Sequence, residues 1–196
     1  MSRILQSLTE SHPQDMPGAL PAGRQALLRP VHAGDAGLVQ SFVRALSPQS
    51  RRNRFFCALM ELPQHMLRRL TQPDHPREFG LLALAGSPDA PSVVGMAQYA
   101  PEEPGCAELS VAVADAWHGQ GLGTRLVQSL IRHASGTGVE TLCAVMLPEN
   151  RAMFALSERL GFALAANAEP GLLRVEKPLA RGVAPRLAGA LAVAWR

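Results

Sequence analysis

Lysine is almost missing from this sequence: Lys177 is the single one among nineteen Lys and Arg in 196 residues. Tyrosine is as scarce, with Tyr99 alone beside six Phe and two Trp. A mechanism that needs a catalytic lysine or a tyrosine acid therefore has one candidate for each. The three cysteines, Cys57, Cys106 and Cys143, are odd in number and far apart, with no C-x-x-C and no neighbouring histidine pair. That argues against a disulfide framework or a zinc site and suggests thiols in a reducing compartment. Long apolar runs are missing too. The longest, 187–195, falls well short of the ~20 residues that span a membrane. Residues 1–23 hold no apolar stretch of the kind a secretory leader requires. A soluble, cytoplasmic protein without a membrane partner is the expectation.

What is present suits one ordinary domain. Hydrophobic residues make up 47% and charged residues 18%, enough apolar side chain for a core and too much for a disordered chain. The net charge of +3 and pI of about 9.1 would draw an anionic ligand. The arginines are spread along the chain and not interleaved with aromatics, so no nucleic-acid partner is expected. Their densest group, Arg51, Arg52 and Arg54, reads as a solvated loop or helix start.

Periodicity divides the chain into a Pro/Gly/Ser-rich arm at 1–23, one domain at 24–178 and an extension at 179–196. Within the domain, 25–31 reads as a short strand that Pro30 places at a sheet edge. Leu38, Phe42, Val43 and Leu46 share one helix face, and Ser47-Pro48 breaks that helix. Leu62-Pro63 opens a second helix, with Met66, Leu67 and Leu70 inward. Strands follow at 78–85, 92–100 and 106–114, the last alternating Leu109, Val111 and Val113 against Glu108, Ser110 and Ala112. Leu122, Leu126, Val127, Leu130 and Ile131 make an amphipathic helix that ends near Gly136. A strand at 139–147, a helix from Asn150 to Gly161 and short strands at 162–166 and 172–177 complete the pattern. The fold class is mixed α/β, with antiparallel strands first and a βαβ crossover in the middle.

Trp117-His118-Gly119-Gln120-Gly121-Leu122-Gly123-Thr124 joins an alternating strand to that amphipathic helix. Three glycines at every second position remove Cβ atoms where backbone N–H groups can converge at a helix N-terminus, forming a cup for anionic oxygen. A tight turn alone would explain one glycine more readily than three. A dinucleotide fingerprint from Gly119 needs glycine where Thr124 stands, and its ribose-binding acid is misplaced at Glu140. A phosphate loop needs G-K-[ST], and Lys177 is far downstream.

His118–Gly123 resembles the [QR]-x-x-G-x-[GA] signature of the GNAT superfamily of acyl-CoA-dependent N-acyltransferases. The preceding AELSVAV and the helix from Asn150 to Gly161-Phe162 are similar to that family's flanking elements, and so is the element order over 24–178. The segments LRPVHAGDAGLVQSFVRALSPQSRRNRFF and NRAM…LGF look like a bacterial subgroup of protein-lysine acetyltransferase domains. These are often fused to acyl-CoA synthetase-like or cyclic-nucleotide-binding modules. Neither module is recognised here, so fusion-based regulation is not carried over. His118 departs from the signature's first Gln/Arg, a change expected to matter little where backbone amides do the binding.

The resemblance implies a central, mostly antiparallel mixed sheet around a βαβ acyl-CoA-binding core, acetyl-CoA as co-substrate and no metal. It implies that His118, Gly119, Gln120, Gly121, Gly123 and Thr124 form the pyrophosphate turn. Val111 and Val113 would lie beside a strand bulge whose N–H polarises the thioester carbonyl, on a strand that pairs with the pantetheine arm. Asn150 would contact pantetheine, and an N-cap for its own helix is an equally compatible role. Glu108 matches the subgroup's general base, and its apolar neighbours would raise its pKa; the alternative is an edge carboxylate facing water. Where many members place a tyrosine acid this chain has Ser157, which either donates through a water or only makes room. The expected reaction is direct acetyl transfer to a primary amine, a protein lysine or alternatively a small amine, by a monomer or homodimer. A non-catalytic acyl-CoA sensor is the rival from another class. If proteins are the substrate, Lys177 is the only side chain of its own that the chain offers.

Overall fold

The computed structural model describes residues 16–19, 24–57, 59–73, 78–166 and 168–180. Eight strands form one sheet: β1 (Met16–Ala19), β2 (Gln25–Pro30), β3 (Phe79–Ser87), β4 (Ala90–Glu103), β5 (Cys106–Val113), β6 (Thr141–Met146), β7 (Ala163–Leu164) and β8 (Leu173–Pro178). Their order is β1-β2-β3-β4-β5-β6-β8-β7, antiparallel throughout except for the β5–β6 pair. Five helices accompany them: α1 (Ala36–Ala45), α2 (Pro48–Phe55), α3 (Gln64–Thr71), α4 (Leu122–Gly136) and α5 (Arg151–Arg159). The mixed α/β class, the mostly antiparallel sheet and the βαβ crossover through α4 are as the sequence predicts.

Both faces of the sheet are covered. β3 is buried from Phe79 to Leu84 and alternates, Leu81 and Ala83 packing with Leu126 and Leu130 of α4, Leu82 and Leu84 with Phe42 and Val43 of α1. α4 lies so close to β4 that a Cβ on Gly95 would sit 2.9 Å from Leu126 Cδ1, so any larger residue there would force the leucine to shift. Tyr99, 1% exposed, is a core residue: its hydroxyl is 2.9 Å from His133 Nδ1 and 3.1 Å from Thr137 Oγ1, tying β4 to the end of α4. Among the described residues no helix is long and apolar enough to cross a membrane.

Three local readings change. Ser47-Pro48 ends α1 but also starts α2, because Ser47 Oγ accepts from Ser50 N at 3.2 Å and Pro48 occupies the first helical position. Met16–Ala19, inside the segment read as an arm, pairs with β2, which is therefore not the edge strand. Pro30 is accommodated because, among the described residues, β1 pairing stops at Leu28 and no partner on that side requires its missing N–H. The rest of 1–23, and all of 179–196 beyond residue 180, lie outside the described residues.

Candidate active site

β5 leaves its parallel partner part-way along. Cys106, Ala107 and Glu108 pair with Thr141, Leu142 and Cys143, and there the pairing stops. The strands splay beyond it, and the gap is a cleft of about 440 Å3 between β5, α5, the α4 N-terminus and α2. Glu108 stands at one end of the exposed stretch of β5. Val113, five residues on, leads to the glycine turn at the other. At ~3.3 Å per residue those ends are roughly 17 Å apart.

The glycine end is built for an anion. Gly119 (φ +70°) and Gly121 (φ +81°) are both left-handed, a conformation that costs other residues energy. Gly121 is the N-cap of α4 and has no side chain to offer, so the first-turn amides of this 15-residue helix carry no side-chain cap. Gly119, Gly121, Gly123 and Thr124 line the cleft, and nothing lies within 4 Å of where a Cβ on Gly119 would stand. These residues fit a pyrophosphate. His118 fastens the turn to β5, its Nε2 lying 2.8 Å from Val113 O. Gln120 does not line the cleft, because its Nε2 donates to Ala116 O at 2.9 Å inside the turn.

Val111, Val113 and Asn150 reach the cleft. Asn150 is buried and also caps α5, its Oδ1 accepting from Met153 N at 3.2 Å, so the two roles foreseen for it coexist in position. The bulge expected at Val111–Val113 is absent from the β4–β5 register, which is regular from Glu108 to Val113. The irregularity falls at Pro101–Glu103, where Glu102 is the extra residue. Ser157 is not brought to the cleft. It is 3% exposed inside α5, and its hydroxyl donates to Met153 O at 2.9 Å. A residue engaged in its own helix turn is not placed to protonate a leaving thiolate.

Glu108 is half-buried, and burial, reinforced by the Glu102 charge, pushes its carboxyl above the usual carboxylate range. Arg54, Arg174 and Arg69 pull the other way. Glu102 itself is held at about 2, chiefly because Arg174 donates to both its oxygens, at 2.6 and 2.8 Å. Cys143 donates to the same carboxylate at 2.8 Å, and burial pushes its thiol up. Glu102, Cys106 and Cys143 are close enough to suggest metal ligands. Arg174 already donates to both oxygens of that carboxylate, and Cys143 donates to it as well.

Two positioning features escaped the sequence reading. Asp115 accepts from Ser47 N (2.9 Å), Ser47 Oγ (2.6 Å) and Ser50 Oγ (2.8 Å), docking α2 beside the glycine turn. Burial pushes the Asp115 carboxyl up, but these bonds outweigh it and hold it at about 2. The arginine group, read as solvated, separates three ways. Arg51 is buried and donates to Arg44 O in the last turn of α1 and to Leu46 O just beyond it, Arg52 pairs with Glu149, and Arg54 lines the cleft.

The acetyltransferase (GNAT) family model matches residues 46–162, which include the splayed strand, the glycine turn and α5. The chain belongs to the GNAT acetyltransferase family. An acetyltransferase of Pseudomonas aeruginosa strain PAO1 is 33% identical to this GNAT chain over 146 residues, 74% of the chain and 78% of that protein. The L-methionine sulfoximine/L-methionine sulfone acetyltransferase of the same strain is 34% identical over 110 residues, 54% of the chain and 64% of that protein. Among solved structures, the GNAT domain of S. lividans PAT matches with TM-score 0.79 at 26% identity, covering 86% of this chain and 99% of that one. Membership implies use of acetyl-CoA.

Proposed function

We propose that this chain moves an acetyl group from acetyl-CoA directly to a primary amine, with Glu108 as general base. The observation that carries this reading is one strand with a carboxylate at one end of its open edge and an uncapped helix N-terminus at the other. Acetyl-CoA supplies a thioester whose C–S bond breaks as the amine nitrogen forms its bond to the carbonyl carbon, releasing the CoA thiol. The amides of Gly119 to Thr124 hold its pyrophosphate, and the open edge of β5 at Val111 and Val113, with Asn150 opposite, holds the pantetheine arm. Glu108 takes the proton of the arriving ammonium, and the second proton, shed by the nitrogen once it is acylated, goes to the departing CoA thiolate, so that CoA leaves as the thiol. A raised pKa makes Glu108 a stronger base, and an amine that arrives protonated needs one.

Two acceptors meet this chemistry: the protein lysine implied by the sequence resemblance, and a small amine. α3 does not line the cleft, so a groove along 62–71 that would favour a protein substrate is not part of it. The relative named for methionine sulfoximine also supports the small amine.

The test is Glu108→Gln. Amine-dependent CoA release should fall at least ~100-fold, with acetyl-CoA affinity unchanged. Glu108 acts only when ionised, so kcat/KM of the wild type should rise with pH through a value above 4.5, and that limb should vanish in the variant. Undiminished turnover by Glu108→Gln would remove Glu108 as the base.

A further inference from the structure

We infer that the acceptor is a small amine bearing a carboxylate beside its amino group, of the α-amino-acid type, held by Arg54 while Glu108 faces the amine. This rests on the acetyl-transfer reading above and names its substrate class.

Arg54 is in the last turn of α2, and its side chain lines the cleft together with Glu108. Its Nε is buried without a hydrogen-bond partner, and among the described residues no carboxylate lies within 4 Å of its guanidinium. The guanidinium carbon sits 4.8 Å from the centre of the Phe55 ring, which fixes the group without neutralising it. Burial lowers its pKa to about 10, against the opposing effect of Glu108, so it is a cation at neutral pH. The residue as a whole is half-buried, and a charge left unpaired with its Nε out of water is costly in a finished fold. Arg51, one turn earlier, likewise has an unpartnered Nε, but its Nη1 donates to two carbonyls; Arg54 makes no hydrogen bond among the described residues, and what it faces is the cleft.

Glu108 and Arg54 thus present opposite charges to one pocket without pairing with each other within 4 Å. A zwitterion satisfies both. A lysine side chain brings only its ammonium to this end, leaving Arg54 uncompensated. The pyrophosphate does not answer for Arg54 either: α2 is moored beside the glycine turn at its start, through Ser47 and Ser50, whereas Arg54 is in its last turn, near enough to Glu108 for each charge to act on the other. Phe56, the next residue but one, also lines the cleft; it is 44% exposed and held at φ +59°, a conformation rarely kept by an aromatic residue without a use. It supplies an apolar wall for the acceptor's side chain.

The experiment measures acetyl-CoA-dependent CoA release by the full chain with L-methionine, L-phenylalanine and L-glutamate. Each is compared with its amide, which lacks the carboxylate, and all with a lysine peptide blocked at both ends. At least one free amino acid should exceed its amide by about 100-fold in kcat/KM. Arg54→Gln should erase that preference, lowering kcat/KM for the free amino acid far more than for its amide, while leaving acetyl-CoA affinity within about twofold; Arg54→Lys should restore part of it. Amides or the peptide equalling the best amino acid, or an unchanged preference in Arg54→Gln, would overturn the inference and leave the transfer reading standing. CoA release with none of the acceptors would overturn both. Thermal unfolding of Arg54→Gln separates loss of recognition from loss of fold.

Discussion

Ser157 uses its hydroxyl inside α5, donating to Met153 O, while its own carbonyl accepts from Phe162 N at 3.0 Å. It is a joint between helix and strand. Ser157→Ala should keep kcat within about twofold and cost ~1 kcal/mol of stability, the worth of one helix-internal hydrogen bond. A hundredfold loss of kcat with an unchanged melting temperature would instead make it the acid. Glu108 was legible in the sequence because strand alternation sets it opposite Leu109 on the strand that leads into the glycine turn. Arg54 was not. One helical turn rotates each successive residue by about 100°, so neighbours Arg51, Arg52 and Arg54 end on a buried carbonyl pair, an exposed glutamate and the cleft. Composition cannot distinguish those fates.

At the scale of elements, the turn from Gly119 to Thr124 was the most readable part of the chain, since left-handed backbone at Gly119 and Gly121 demands glycine. Gly121→Val would place a branched side chain both in a forbidden conformation and over the free amides of α4. Acetyl-CoA binding, followed by calorimetry, should fall below detection, with stability reduced by ~1–3 kcal/mol. Binding that survives would make the turn merely structural. The strands β3 to β6 and helices α1, α3, α4 and α5 follow from hydrophobic period. α2 escaped because it is short and polar, and its start signal also terminates α1. β1 escaped because four residues in a Pro/Gly-rich stretch show no period; backbone pairing with β2 alone defines it.

Across the whole molecule, the sheet is two pieces, β1 to β5 and β6 to β8, joined by three residue pairs at the base of the splay. The Glu102–Arg174 pair bridges β4 and β8 at that base. No single-sequence pattern could announce it, because the partners are 72 residues apart and a bulge turns Glu102 toward its arginine. Its folded pKa of about 2 is below its ordinary value of 4.5, so its stabilisation is complete above 4.5 and lost as pH falls toward 2. Urea unfolding of the wild type should therefore weaken between pH 5 and pH 3 more steeply than that of Glu102→Gln. The remaining slope is expected from Asp115, also held at about 2. Identical slopes would mean that the bridge contributes nothing.

The moorings of α2 have a kinetic meaning. The helix is tied through Ser47 and Ser50 to Asp115, just before the glycine turn, and through Arg52 to Glu149, just before α5. It thus spans both walls of the cleft and carries Arg54 between them. Any change in the separation of those walls on filling the donor end moves the residue that reads the acceptor. The two affinities are then linked, and linkage is reciprocal: a donor that draws the walls together sharpens acceptor capture, and the captured acceptor slows the donor's escape.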